Sequence, residues 1–316
     1  MATDSGMRLG ISLPKGFPGE RTDLGYLDEY LARLEASAFE DAWLTESILT
    51  PNYSLEPLAY LSFVAARTRR IRIGIAVIIL NFRNPLQLAR STVTIDQLSS
   101  GRFILGLGLG AGTTAYPAFG VDPARRAARF EEALRVMKLL WTGQETTFVG
   151  EFFKLDRVTM RPGPVQQPHV PIILGGQSEP AMRRAARMAD GWMSAGAASV
   201  DVATEQVRKM KTFLQEAGRE PPGFRLSKRL YLVVDEDELV AKRTLEESLL
   251  QQYGARATSV GGLAGSPARI VDALGSLAQA GYDHVLLNPV QNDLRQMEKL
   301  AEKVLPQLPG IAPAVA

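Results

Sequence analysis

The sequence predicts an α/β chain folded as one (β/α)8 barrel, with insertions after the fourth strand and before the fifth. Three observations carry this. Strand-like and helix-like runs alternate from end to end, and eight strands can be counted, each followed by a helix. The 316 residues suit such a barrel, for which about 250 is typical. No Pro/Gly/Ser-rich linker divides the chain and no internal repeat appears, so residues 1–308 read as a single domain and 309–316 as a frayed tail.

The elements follow in order. Arg8–Leu13 is a short apolar strand, and Gly25–Ser37 carries Tyr26, Tyr30, Leu31 and Leu34 at helical spacing. Asp41–Glu46 reads as the second strand and Glu56–Arg67 as its helix. Ile71–Leu80 is apolar at nearly every position and rich in β-branched residues, the pattern of a parallel strand buried on both faces. Pro85–Leu98 opens on proline and closes before Gly101, and Arg102–Gly108 is the fourth strand.

The insertions are a Gly/Thr/Pro loop, Ala111–Pro123, and a β-hairpin at Glu145–Arg157. Between them lies the helix Arg125–Trp141, with Phe130, Leu134, Met137 and Trp141 on one face. Then come the strand Pro171–Gly175, the helix Ser178–Asp190, the strand Gly191–Ser194 and a helix near Val200–Ala217. A strand Leu226–Val234, a helix Glu236–Tyr253, a loop, a helix Pro267–Ala280, a strand His284–Leu287 and a helix Asp293–Leu305 complete the chain.

Composition narrows the chemistry. Lys+Arg (36) nearly cancels Asp+Glu (34), without a basic block, which argues against nucleic acid as a partner. There is no cysteine, so thiolate nucleophiles, disulfides and thiolate metal sites are excluded. Two histidines, His169 and His284, make a multi-histidine metal site untenable, and no metal is expected. The amino terminus lacks a signal-peptide pattern and the apolar runs are too short to span a bilayer, so the expected place is the cytoplasm, with no membrane partner. A chain so poor in nucleophiles and metal ligands is expected to borrow its chemistry from a cofactor.

Barrel enzymes work at the carboxyl ends of their strands, and several motifs fall there. Gly106-Leu-Gly108-Leu-Gly110-Ala-Gly112 loosely matches a dinucleotide fingerprint, but no helix opens directly after it. Gly106 and Gly108 therefore read as small residues in a crowded strand, and Gly110 and Gly112 as backbone brought close to a flat ligand. Gly175-Gly176-Gln177-Ser178 ends a strand and opens a helix with Pro180 in its first turn. Either Ser178 is an ordinary helix cap, or the exposed amides and helix dipole form a phosphate site. Glu46 and Ser47 end the second strand, with Asn52 and Tyr53 just beyond; Glu46 is either a general base or a carboxylate that orients neighbouring loops. His169, His284 and the three tryptophans, Trp43, Trp141 and Trp192, read as structural. Arg125, Arg126 and Arg129 form either a solvated helix face or an anion clamp.

Several long stretches resemble the luciferase-like monooxygenase family, the bacterial luciferase-like oxidoreductases that depend on flavin or coenzyme F420. They are AWLTES (Ala42–Ser47), NPLQLARSTVTIDQLSSGRFILGLGLGAG (Asn84–Gly112), KLLWTG (Lys138–Gly143), PIILGGQSEPAMRRAARMADGW (Pro171–Trp192) and SPARIVDALGSLAQAGYDHVLLNP (Ser266–Pro289). The resemblance implies a (β/α)8 barrel, a homodimer, and reduced FMN or its deazaflavin analogue F420 bound across the strand ends. It places the cofactor phosphate on Gly175, Gly176, Gln177 and Ser178. It places a bulge, often a non-prolyl cis peptide, at Ala76–Val77 behind the ring, and a loop beside the ring at Gly110, Ala111, Gly112 and Thr113. Members commonly carry histidine directly after the acidic residue of the second strand; here that residue is Ser47, which puts proton transfer there in doubt.

The resulting expectation is an oxidoreductase in which the cofactor does the redox chemistry and the barrel orients it. Coenzyme F420 is favoured, with hydride transfer to or from a small organic substrate. The alternatives are a reduced-FMN monooxygenase fed by a separate reductase and a flavin-binding barrel without turnover. Glu46 and Ser47 are the candidate catalytic groups, Asn81 a further cofactor contact, and Asn52, Tyr53, Thr114, Tyr116 and Asn288 the expected substrate lining.

Overall fold

The computed structural model describes residues 6–17, 21–49, 53–110, 112, 114–194, 200–219, 223–291 and 293–308. Two units can be delineated, Met1–Trp43 with Ile173–Ala316, and Leu44–Ile172. The expected tail 309–316 lies outside the described residues.

The first unit begins with β1 (Arg8–Ser12), α1 (Leu24–Ala36) and β2 (Asp41–Leu44). It resumes with β7 (Ile172–Gly175), α5 (Glu179–Met188), β8 (Gly191–Ser194), α6 (Val200–Glu216), β9 (Arg225–Val234) and α7 (Glu238–Tyr253). After α8 (Ala257–Val260) come β10 (Leu263–Gly265), α9 (Pro267–Ala280), β11 (His284–Pro289) and α10 (Asp293–Lys303). The second unit holds α2 (Pro57–Arg67), β3 (Arg72–Ile79), α3 (Pro85–Leu98), β4 (Phe103–Gly108), α4 (Arg126–Trp141) and the hairpin β5 (Thr146–Val149) with β6 (Lys154–Val158). The main sheet runs β10-β9-β11-β1-β2-β3-β4-β7-β8, and β8 pairs again with β9. The eight parallel strands from β9 to β8 thus close on themselves, with β10 added beside β9, and the fold is the (β/α)8 barrel expected from the sequence.

Helix starts follow local chemistry. Asp23 caps α1 through Tyr26 N at 3.0 Å, Glu56 caps α2 through Ala59 N at 2.8 Å, and Asn84 caps α3 through Leu86 N at 2.9 Å. The face expected on α4, Phe130, Leu134, Met137 and Trp141, is buried. Two short elements, α8 and β10, differ from expectation. The stretch between α7 and α9, read as a loop, contains β10, which pairs in parallel with Leu232–Val234 of β9. Three residues that follow Gly262 and end on Gly265 carry too little alternation to be seen in sequence.

The hairpin is anchored within its own unit. Glu132, buried on α4, accepts from the backbone N–H groups of Glu151 (2.9 Å), Phe152 (2.8 Å) and Phe153 (2.8 Å). Arg125 pairs with Glu151 and stacks over Phe152, Arg129 stacks over Phe153, and Arg126 donates to Pro123 O at 2.7 Å. These arginines therefore clamp the protein's own hairpin and loop.

A buried polar network ties β2, β9 and β11 across β1. His284 Nε2 lies 2.9 Å from Asp41 Oδ1, His284 Nδ1 lies 3.1 Å from Ser227 Oγ, and Trp43 Nε1 donates to Asp41 Oδ1 at 2.5 Å. Burial alone would push the Asp41 carboxyl up, but His284, the Trp43 N–H and Arg225 together hold it below the usual carboxylate range. Gly10 makes room for this network, since a Cβ there would lie 1.8 Å from Asp41 Oδ1. His284 is thus structural, as its sequence position implied.

Candidate functional site at the strand ends

The first unit carries an anion-ready loop. β7 runs into Gly175-Gly176-Gln177-Ser178 and then directly into α5. Gly176 has φ +135°, and a Cβ there would meet Ala181 Cβ at 2.7 Å, so the loop requires glycine at this position. Trp192 Nε1 donates to the Gly176 carbonyl at 2.6 Å and so fixes the turn. This second role of Trp192, beyond packing, was not legible in sequence. Ser178 sits at the cap position with extended backbone, but its hydroxyl makes no capping bond. The side chain is exposed. The α5 amino terminus, with its orphan amides and positive dipole end, therefore retains both a hydroxyl and donors for an incoming oxyanion.

The same unit brings Asn288 of β11 opposite Tyr231 of β9 in register. Asn288 Oδ1 accepts from Arg229 Nε at 3.1 Å, so the expected pocket residue belongs to a cluster the sequence did not reveal. Arg229 also donates to the Tyr231 hydroxyl and stacks over its ring at 4.6 Å.

In the second unit, the Ala76–Val77 peptide is cis, and the β3–β4 register shifts between Ile75 and Ile78. A Cβ on Gly106 would lie 1.9 Å from Ile75 O, and one on Gly108 2.7 Å from Val77 Cγ2. Those two glycines serve the crowding between strands, as the sequence pattern indicated. Gly110 has φ +78°, and Gly112 is exposed with open space around it.

Glu46, with its side chain 1% exposed, has both oxygens engaged. Oε2 accepts from Ile79 N at 2.7 Å and Oε1 pairs with Arg83, which also reaches Glu56 at 2.9 Å. Its geometry is that of a carboxylate steadying the end of β3 rather than one available for proton abstraction. Ser47 and Tyr53 are half-buried.

Asn81 is 2% exposed and donates from Nδ2 to Arg126 O at 2.8 Å, while its Oδ1 is buried without a hydrogen-bond partner among the described residues. Thr114 is exposed. Tyr116, expected to line a pocket, is buried instead. Its ring packs edge-on against Phe82 at 4.9 Å and its hydroxyl donates to Leu109 O at 2.5 Å. Asn52, Ala111 and Thr113 lie outside the described residues.

With this geometry in hand, comparison with known proteins is informative. The family profile of luciferase-like monooxygenases matches residues 7–262. The chain belongs to that family. An uncharacterised protein of Mycobacterium tuberculosis is 37% identical to this luciferase-like chain over 168 residues, 53% of the chain and 58% of the relative. The match thus spans little more than half of that relative's length. The F420-dependent glucose-6-phosphate dehydrogenase of Kineococcus radiotolerans is 24% identical over 319 residues, 90% of this chain and 93% of that protein. Among solved structures, the monooxygenase RslO1 from Streptomyces bottropensis superposes with a TM-score of 0.80 at 24% identity, covering 95% of this chain and 99% of that one. That likeness establishes the barrel.

The residues of this luciferase-like chain fit a phosphorylated, flat heterocyclic cofactor. In the first unit, the Ser178 hydroxyl makes no capping bond and the glycine turn at Gly176 leaves the α5 amino terminus open to a phosphate; in the second unit, taken by itself, Asn81 Oδ1 has no hydrogen-bond partner among the described residues. No helix among the described residues is long and apolar enough to cross a membrane.

Proposed function

We propose that this luciferase-like chain is an oxidoreductase that uses coenzyme F420 for hydride transfer to or from a small organic substrate. The observation that carries the choice of cofactor is the match to an F420-dependent dehydrogenase over 90% of the chain. The deazaflavin would supply a ring carbon that gives or takes hydride. The protein's own residues bind and orient. The amides of Gly175–Ser178 and the Ser178 hydroxyl hold the phosphate, with the α5 dipole behind them. Ala76–Val77 would back the ring, Gly110 and Gly112 would lie beside it, and Asn81 Oδ1 would offer it an acceptor. Glu46 acts as a positioning residue through Ile79 and Arg83. The reading places the enzyme in the cytoplasm as a single-domain homodimer, without need of a flavin reductase.

Fluorescence titration of the purified protein with F420 and, separately, with FMN tests the cofactor assignment. Saturable binding of F420 at lower concentration than FMN is expected. Tight FMN binding with no F420 response would instead support the reduced-FMN monooxygenase reading. The dimer has its own test. Sedimentation at micromolar concentration should show a species of twice the 34.5 kDa chain mass, and a single species at the chain mass would remove the dimer.

A further inference from the structure

β8 runs parallel to β7, with Trp192 level with Leu174 and Met193 level with Gly175. Trp192 is wholly buried. An indole N–H can only donate, and a buried one needs an acceptor. Trp192 finds its acceptor beyond the strand end and not in the barrel wall. Its Nε1 donates at 2.6 Å to the carbonyl of Gly176, the first residue after β7 and one whose backbone conformation calls for glycine. The indole is itself held in place. It stacks on Tyr282, with ring centroids 6.4 Å apart and planes 24° from parallel. The Tyr282 hydroxyl lies 3.1 Å from Ser194 Oγ and donates to Gln206 Oε1 at 3.3 Å. Side chains from β8, α6 and the turn between α9 and β11 thus brace one ring, and that ring holds one carbonyl.

The carbonyl is a lever on the loop. The Gly176–Gln177 peptide is trans, since the cis bonds among the described residues lie elsewhere. A planar trans peptide carries its carbonyl and its N–H on opposite edges. Anchoring the Gly176 carbonyl on Trp192 therefore sets the direction of the Gln177 N–H and of the chain entering Ser178. Ser178 in turn starts the helix, its carbonyl accepting from Met182 N at 2.9 Å. The buried indole, the glycine turn and the first turn of α5 form one continuous support. A loop held in this way before the ligand arrives does not have to be ordered by it, and that ordering cost is withheld from the binding free energy.

We infer that Trp192 is a positioning residue for the cofactor's phosphate. Through the Gly176 carbonyl it holds Gly175–Ser178 in the conformation that receives an oxyanion, and so sets the preference for the phosphorylated over the unphosphorylated form of the cofactor. This rests on the proposed function for the identity of the bound group. The effect falls on the phosphate end of the cofactor and not on its heterocycle. Packing alone, the other use of a buried tryptophan, would affect both forms alike.

The test compares the full wild-type chain with Trp192→Phe, which keeps an aromatic ring against Tyr282 and removes the N–H. Affinities are measured by fluorescence for F420, for the ribityl deazaflavin that lacks its phosphate, for FMN and for riboflavin. Binding of the phosphorylated compounds should weaken about tenfold in Trp192→Phe, while the two unphosphorylated compounds bind as before. Equal weakening of both kinds overturns the proposal, as does unchanged binding of all four. If Trp192→Phe does not fold, wild type labelled with nitrogen-15 at its indoles carries the test. The Trp192 N–H signal, identified by its nuclear Overhauser contacts with Tyr282, should move on adding F420 or FMN and stay in place with the unphosphorylated compounds. The same movement with both kinds overturns the proposal. F420 bound by wild type and by Trp192→Phe with the same preference over its unphosphorylated form would leave the proposed function standing and remove the role of Trp192. FMN bound without F420, with its preference over riboflavin reduced in Trp192→Phe, would remove the choice of cofactor and leave that role standing. Binding of neither cofactor to wild type would remove both.

Discussion

Replacing Ser178 with glycine should weaken cofactor binding about ten- to a hundredfold while leaving the melting temperature nearly unchanged. The magnitude follows from the loss of one charge-assisted hydrogen bond to a phosphate, about 1.5–3 kcal/mol, at about 1.4 kcal/mol per decade of affinity. The stability half of the prediction comes from the cap geometry. Ser178 occupies the cap position of α5, yet its hydroxyl makes no bond to the first turn. An ordinary capping serine costs about 1 kcal/mol when changed to alanine and only a few tenths when changed to glycine. Here neither Ser178→Gly nor Ser178→Ala removes a capping bond, so both should melt close to the parent. Binding of F420 and FMN at parental affinity by Ser178→Gly would show that the hydroxyl has no phosphate role.

Asp41→Ala should destabilise the fold by about 3–5 kcal/mol, a large share of the roughly 5–15 kcal/mol that holds a domain together. The substitution strands two buried donors at once. Trp43 Nε1 loses its acceptor and His284 Nε2 its carboxylate partner, with His284 and Trp43 both inaccessible to solvent. The pH dependence has a definite sign. The folded-state pKa of Asp41 is depressed, so its contribution is complete above the unfolded value, about 3.9, and is lost as pH falls through the lower folded value. Urea melts of parent and variant at neutral pH and through the acid range read both effects. The stability difference between them should shrink in acid, and a difference independent of pH would contradict this account of Asp41.

Features that depend on local chemistry were legible in the sequence. The apolar run of β3, the proline and glycine punctuation of α3, and the crowding glycines Gly106 and Gly108 each announce themselves within a few residues. So does the turn before α5, because two glycines followed by a cap residue and a proline have few other uses. Long-range contacts were hidden. Arg229 meets Asn288, 59 positions on, and Tyr231 meets Tyr253, 22 positions on, across a segment whose short strand carries no periodic signal. Tyr116 looked like a loop aromatic facing a ligand, but Phe82 stacks on Phe119 and covers Tyr116 itself, a packing arrangement no spacing rule predicts. In sequence Glu46 could be a base or a brace, with the brace favoured. Its pairing with Ile79 N and Arg83 supplies the geometry of a brace.

The most direct test of the central claim is anaerobic reoxidation of reduced F420 on the purified protein, followed by the return of the oxidised cofactor's absorbance. Small aldehydes, ketones and imines are offered in turn. The account predicts reoxidation without oxygen by at least one of these compounds. Reduced F420 that stays reduced with every compound, while reduced FMN is consumed only when oxygen and substrate are both present, would contradict it.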